Sequence, residues 1–117
     1  LALVIDSLAG LLRVAVVIGD IGGARSLLTE IDERIASRGI VGVEHPGRLF
    51  VTLVDAFRWL GEHERAEGAL RSGVAVIGER AGWITDPIYR ESYVTCVPSH
   101  RRILEMASLA CIDLAFP

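Results

Sequence analysis

GDIGGARSLL (residues 19–28) and GEHERAEGAL (residues 61–70) fall into line when the chain is slid over itself by 42 positions. Gly19 then lies over Gly61, Ala24 over Ala66 and Leu28 over Leu70. The agreement runs forward to Ile35 over Ile77 and Arg38 over Arg80, and back to Leu11 over Leu53, with Ile18 meeting Leu60. The shared order is an apolar helix, a glycine, an acidic residue, three variable positions, an alanine and a second amphipathic helix. Glycine allows a tight turn between two antiparallel helices. The small alanine lets the second helix pack closely on the first, where a larger side chain would force the pair apart.

Working outward, helical periodicity dominates and strict alternation is scarce. The spacing predicts helices near 2–18, 22–38, 47–60, 63–81, 87–95 and 98–112. The second carries Ala24, Leu27, Leu28, Ile31 and Ile35 on one stripe, with Glu30 and Arg34 as an i,i+4 pair opposite. Gly39 stops it, and Pro46 suits the first turn of the third helix, where no N–H is needed. The third shows Leu49, Leu53, Ala56 and Leu60 on one side; the fourth shows Ala66, Leu70, Val74, Ile77 and Ala81, with Glu67 before Arg71. Asp86-Pro87 and Val97-Pro98 each open a helix, the first with a carboxylate N-cap. The expected fold is all-α: antiparallel helical hairpins stacked as an α-solenoid of about six helices, without a sheet. The expected units are 1–42, 43–84 and a shorter closing helix pair at 85–117.

The pattern in Ile18-Gly19-Asp20 with Ala24, and in Leu60-Gly61-Glu62 with Ala66, resembles the tetratricopeptide repeat. The family's usual period is about 34 residues; the longer period here also falls in the range of HEAT and armadillo repeats. A second resemblance covers Glu79 to Ala107. There Glu79-Arg80-Ala81, Asp86-Pro87, Arg90, Tyr93, Val97-Pro98 and Arg101 look like the end of the repeat arm of large bacterial signalling or transcriptional regulator proteins that carry a STAND-type ATPase. The resemblance implies a cytoplasmic, non-catalytic sensor or scaffold arm, and a right-handed stack if it is tetratricopeptide-like.

Composition narrows the function classes. The chain has 117 residues, 51% of them hydrophobic, which suits one domain with a modest core. Its net charge is −3, and all twelve basic residues are arginine. Nucleic-acid binders carry a basic patch and a high pI, so this class is disfavoured. Leu1–Ile18 is very apolar, but it holds Asp6 and Arg13 and is shorter than the roughly 20 residues a membrane span needs. It reads as a buried helix, apolar nearly all round and therefore expected to be covered on both sides. The chain begins at Leu1 rather than Met and reads as a piece of something larger, so that a preceding repeat would cover the side its own helices leave open.

Few residues suggest chemistry. His45, His63 and His100 have no His or Cys at i,i+4, and are expected to be solvated or locally hydrogen-bonded. Cys96 and Cys111 lack CxxC spacing and read as buried or half-buried free thiols. Glu62, Glu64 and Glu67 complement the dipole of the fourth helix, and Gly19–Gly23 lacks the Lys-Ser/Thr of a P-loop. Arg101-Arg102 reads as a solvated spot or an ion-pair donor. Trp59 and Trp83 are expected to pack between layers, whereas an exposed tryptophan would be a binding anchor.

No catalytic residue, cofactor or metal ligand is therefore expected. The expected function is protein–protein interaction or regulation, with a peptide, a partner helix or a neighbouring domain on the surface lined by the first helix of each pair. Gly19, Ala24, Leu28, Gly61, Ala66 and Leu70 are the expected repeat-packing residues, and Arg48, Asp55 and Arg58 the expected partner face. The alternative is a small homodimerising domain that associates through the apolar first helix.

Overall fold

The computed structural model describes residues 2–40, 42–112 and 114. The outer ends of the expected units, residues 1 and 117, lie outside these. The described residues form six helices and no strand: α1 (Ala2–Ile18), α2 (Ile21–Arg38), α3 (Pro46–Trp59), α4 (His63–Gly82), α5 (Pro87–Thr95) and α6 (Pro98–Leu109).

The local signals set the boundaries. Asp20 caps α2 through its side chain, which accepts from the Gly23 N–H at 2.9 Å. Asp86 caps α5 by accepting from the Ile88 and Tyr89 N–H groups, and Pro46, Pro87 and Pro98 each occupy a first helical position. Both Glu-before-Arg pairs form, Glu30 with Arg34 and Glu67 with Arg71.

The two repeat turns are built alike. Gly19 and Gly61 both take φ 76°. After Gly19 the Asp20 N–H donates to the Ala15 carbonyl at 2.9 Å; after Gly61 the Glu62 N–H donates to the Phe57 carbonyl at 2.9 Å. With the Gly19 and Gly61 N–H groups donating to the Val16 and Arg58 carbonyls, each turn has the paired bonds of a Schellman cap, which satisfy the orphan carbonyls of a helix end. A third cap of the same kind ends α6, where Cys111 takes φ 57° and the Ile112 N–H donates to Ala107.

Packing follows from these turns. α1 packs on α2 and α3 packs on α4. The second pair is antiparallel, because Arg80 near the end of α4 donates to the Ile40 and Val43 carbonyls just ahead of α3. Successive hairpins stand side by side, with α1 against α3. α6 packs on both α3 and α4, while the short α5 rests on α4 and α6 and buries no residue fully. α1, α3 and α6 run in the same direction. Asp6 and Ala9 lie beside His45 and Leu49, and Val16 and Val17 beside Asp55 and Ala56. On the other side Asp55 meets Arg102, and Arg58 meets Met106.

α3 is thus flanked by α1, α4 and α6, which explains why nine of its fourteen residues are buried. Leu12, Ile31, Leu49, Leu70, Ile77 and Ile103 are its fully enclosed neighbours or members of the same core. The expected repeat-packing residues Ala24, Leu28, Ala66 and Leu70 are all buried.

One expectation about α1 holds, and those for the cysteines and tryptophans are corrected. As expected of a first helix that its own neighbours cover on one side, α1 buries Ile5, Leu8, Leu12 and Ala15, while Leu11, Val14, Val17 and Ile18 are 56%, 56%, 85% and 70% exposed. Cys96 and Cys111 are free but exposed, since each lies at a helix end that turns to the surface. Trp83 does not pack between layers. It is 63% exposed at the end of α4, with the Arg80 guanidinium 5.9 Å from its ring centroid. Trp59 is 40% exposed, only partly packed.

Candidate functional site

The side-by-side arrangement of α1, α3 and α6 leaves a groove of about 370 Å³ along the layer. α1 contributes Arg13, Val16 and Val17; α3 contributes Arg48, Val51, Thr52, Asp55 and Ala56; α6 contributes Ser99. The valines and Ala56 make the walls and floor apolar. A second hollow of about 210 Å³ continues beyond it, lined by Asp6, Ala9, Arg13, His45, Arg48 and Leu49. Arg13 and Arg48 line both, so these two residues stand at the junction, and the Arg48 charge acts on Arg13.

Thr52 fixes one of them. Its hydroxyl accepts from Arg13 Nη1 at 2.9 Å and donates to the Arg48 carbonyl, also at 2.9 Å. A residue buried on α3 thereby ties α1 to α3. Burial first, and the facing Arg48 charge second, push Arg13 below the usual guanidinium range, while Asp6 pulls it back. The far end of the groove is electrically closed, because Asp55 Oδ1 accepts from Arg102 Nη2 at 2.9 Å.

Two of the three residues expected on the partner face, Arg48 and Asp55, therefore line the groove. Arg58 is not among its lining residues; it reaches across to α6, with Nη1 3.4 Å from Met106 Sδ. Arg13 and Thr52 were not singled out in the sequence. Their contact joins positions 39 apart in the chain, and only the i,i+42 register hints that α1 and α3 lie level.

The exposed stripe of α1 adjoins the groove through Val17. The repeat register gives it a meaning: Leu11 corresponds to Leu53 and Val14 to Ala56. On α3 these counterparts are 2% and 1% exposed. Ala56 is covered where α1 lies against α3. The same face of α1 is left open among the described residues, with Leu11 and Val14 exposed.

His45 and His63 are exposed, whereas His100 is buried and its Nδ1 lies 2.6 Å from the Tyr93 carbonyl. Glu62 pairs with Arg25 and Arg65. Among the described residues no group of three or more His, Cys, Asp or Glu could hold a metal ion, and no helix is long and apolar enough to cross a membrane. No family model matches the chain, and neither a curated protein nor a solved structure matches it.

Proposed function

We propose that the chain is a non-catalytic helical-repeat module that binds protein, a tetratricopeptide-like scaffold or regulatory arm of a larger cytoplasmic signalling or transcriptional regulator. The observation that carries this reading is the uncovered stripe Leu11, Val14, Val17 and Ile18 beside an apolar groove. Contiguous apolar surface of this kind marks an interaction site. The repeat register supplies the occupant of the stripe: a helix that packs on α1 as α1 packs on α3. The groove is left for a segment of a separate partner. In a stack of repeats each unit buries its neighbour's open face, and stability grows with each interface.

The test is to fuse a second copy of residues 1–42, its own Leu11, Val14, Val17 and Ile18 changed to serine, ahead of the chain and compare solution mass over a concentration series. On this reading the 117-residue chain associates as concentration rises, and the longer chain stays monomeric and melts higher. A second reading rests on the same stripe: a homodimer through α1. The same discrete dimer from both chains would favour that reading and overturn the first.

A further inference from the structure

Five of the twelve arginines of this chain have an acidic neighbour among the described residues. Arg25, Arg34, Arg65, Arg71 and Arg102 each have a carboxylate within 4.0 Å. Arg13 and Arg48 have none among the described residues, yet they share the walls of the same two hollows. Two like charges held together at a partly desolvated site cost free energy that an anion between them would offset. Neither nearby acid sits between the two guanidiniums as an ion-pair partner. Asp55 is engaged by Arg102, and Asp6, which lines only the second hollow, offsets part of the Arg13 charge from a distance but forms no ion pair with either arginine.

The chemistry of the occupant follows from the surroundings. Arg13 spends one N–H on Thr52 and keeps the rest of its fork, which matches a carboxylate in two bonds. The walls next to the pair are Val16, Val17 and Val51, an apolar trough too long for a small inorganic anion to fill. Charge and hydrocarbon are thus wanted side by side on one ligand. We infer that Arg13 and Arg48 together receive an aspartate or glutamate side chain of the partner, and that the segment in the groove is an acidic residue flanked by aliphatic ones. This rests on the groove being the binding surface proposed above.

An array of random octapeptides, acetylated and amidated to remove terminal charge, tests it when probed with the 117-residue chain. The bound peptides are expected to be enriched in Asp or Glu next to Val, Leu or Ile. The best glutamate peptide is expected to bind at least about tenfold tighter than its glutamine twin, a gap of ~1.4 kcal/mol. That gap closes in Arg13→Gln/Arg48→Gln, and in Arg48→Gln alone it narrows. Should the double variant fold poorly, added salt on the unaltered chain reads the same term: it weakens the glutamate peptide and spares the twin. Peptides that bind without acidic preference, or a preference that survives in the variants and in salt, overturn the inference and leave the groove standing. Absence of any bound peptide, or binding indifferent to a groove-filling Val51→Trp, overturns both.

Discussion

Gly19 and Gly61 stand at equivalent points of the two repeats and hold the same backbone angle, φ 76°, each followed by an acidic residue whose N–H closes the cap at 2.9 Å. In neither case would a Cβ touch anything within 4 Å, so the glycine is required by the left-handed backbone rather than by space.

Gly19→Ala and Gly61→Ala should therefore destabilise by similar amounts, about 1–2 kcal/mol each. Cys111 holds φ 57° in the third cap without being glycine, so Cys111→Gly should be neutral or stabilising. Urea midpoints of the three variants check the set; a loss at one turn only would break the equivalence.

Gly47 is needed for the opposite reason. A Cβ there would lie 2.5 Å from His100 Cδ2 and 2.9 Å from Ser99 Oγ, at the crossing of α3 and α6. Gly47→Ala should cost about 1–3 kcal/mol by overpacking. Gly68, with open space around it on the exposed face of α4, should behave in the reverse sense, Gly68→Ala adding up to ~1 kcal/mol. Thermal melts that rank the two variants otherwise would contradict the crossing.

Arg80 holds the entry to the second hairpin by donating to the Val43 and Ile40 carbonyls at 3.0 and 3.1 Å. Arg80→Met should cost about 2 kcal/mol, in line with charged hydrogen bonds. It should also speed amide exchange across Gly42–His45. Loss of stability with unchanged exchange there would assign Arg80 a different role.

Asp32 gives a pH signature. Burial raises its carboxyl above the usual range, with Arg65 opposing. The folded chain thus holds this proton more tightly than the unfolded chain. The stability it contributes is full below the unfolded pKa and is lost as pH rises through the raised folded value. Asp32→Asn removes that loss, so the melting temperature of the variant relative to the natural chain should climb as pH rises from the ordinary carboxylate range. A relative melting temperature that falls would reverse the sign.

Much of the fold was legible because its signals are local. Gly39, Pro46, Asp86-Pro87 and Val97-Pro98 each act within a turn or two, and the helix boundaries follow them closely. The repeat register also identified Ala24 and Ala66 as close-packing sites, and both are buried. What stayed hidden is tertiary. The sequence pairs α5 with α6 but does not say that α6 lies against α3, since that depends on Ser99 and His100 meeting Gly47 across half the chain. The cap at Cys111 carries no glycine to mark it, and the exposure of Trp83 depends on how α5 leaves α4. Within the groove Arg48 and Asp55 were legible from α3 alone, as charges off its core stripe. Arg13 was not, because its role comes from Thr52 on another helix.

The central claim, that the groove between α1 and α3 is where partner protein binds, is tested most directly by amide chemical-shift mapping during titration with an array-selected peptide. The account predicts saturable shifts centred on Val16, Val17, Val51, Thr52 and Ser99, absent in Val51→Trp. Shifts centred instead on Trp83, Ile88 and Tyr89, the exposed apolar residues at the α4–α5 corner, would contradict it.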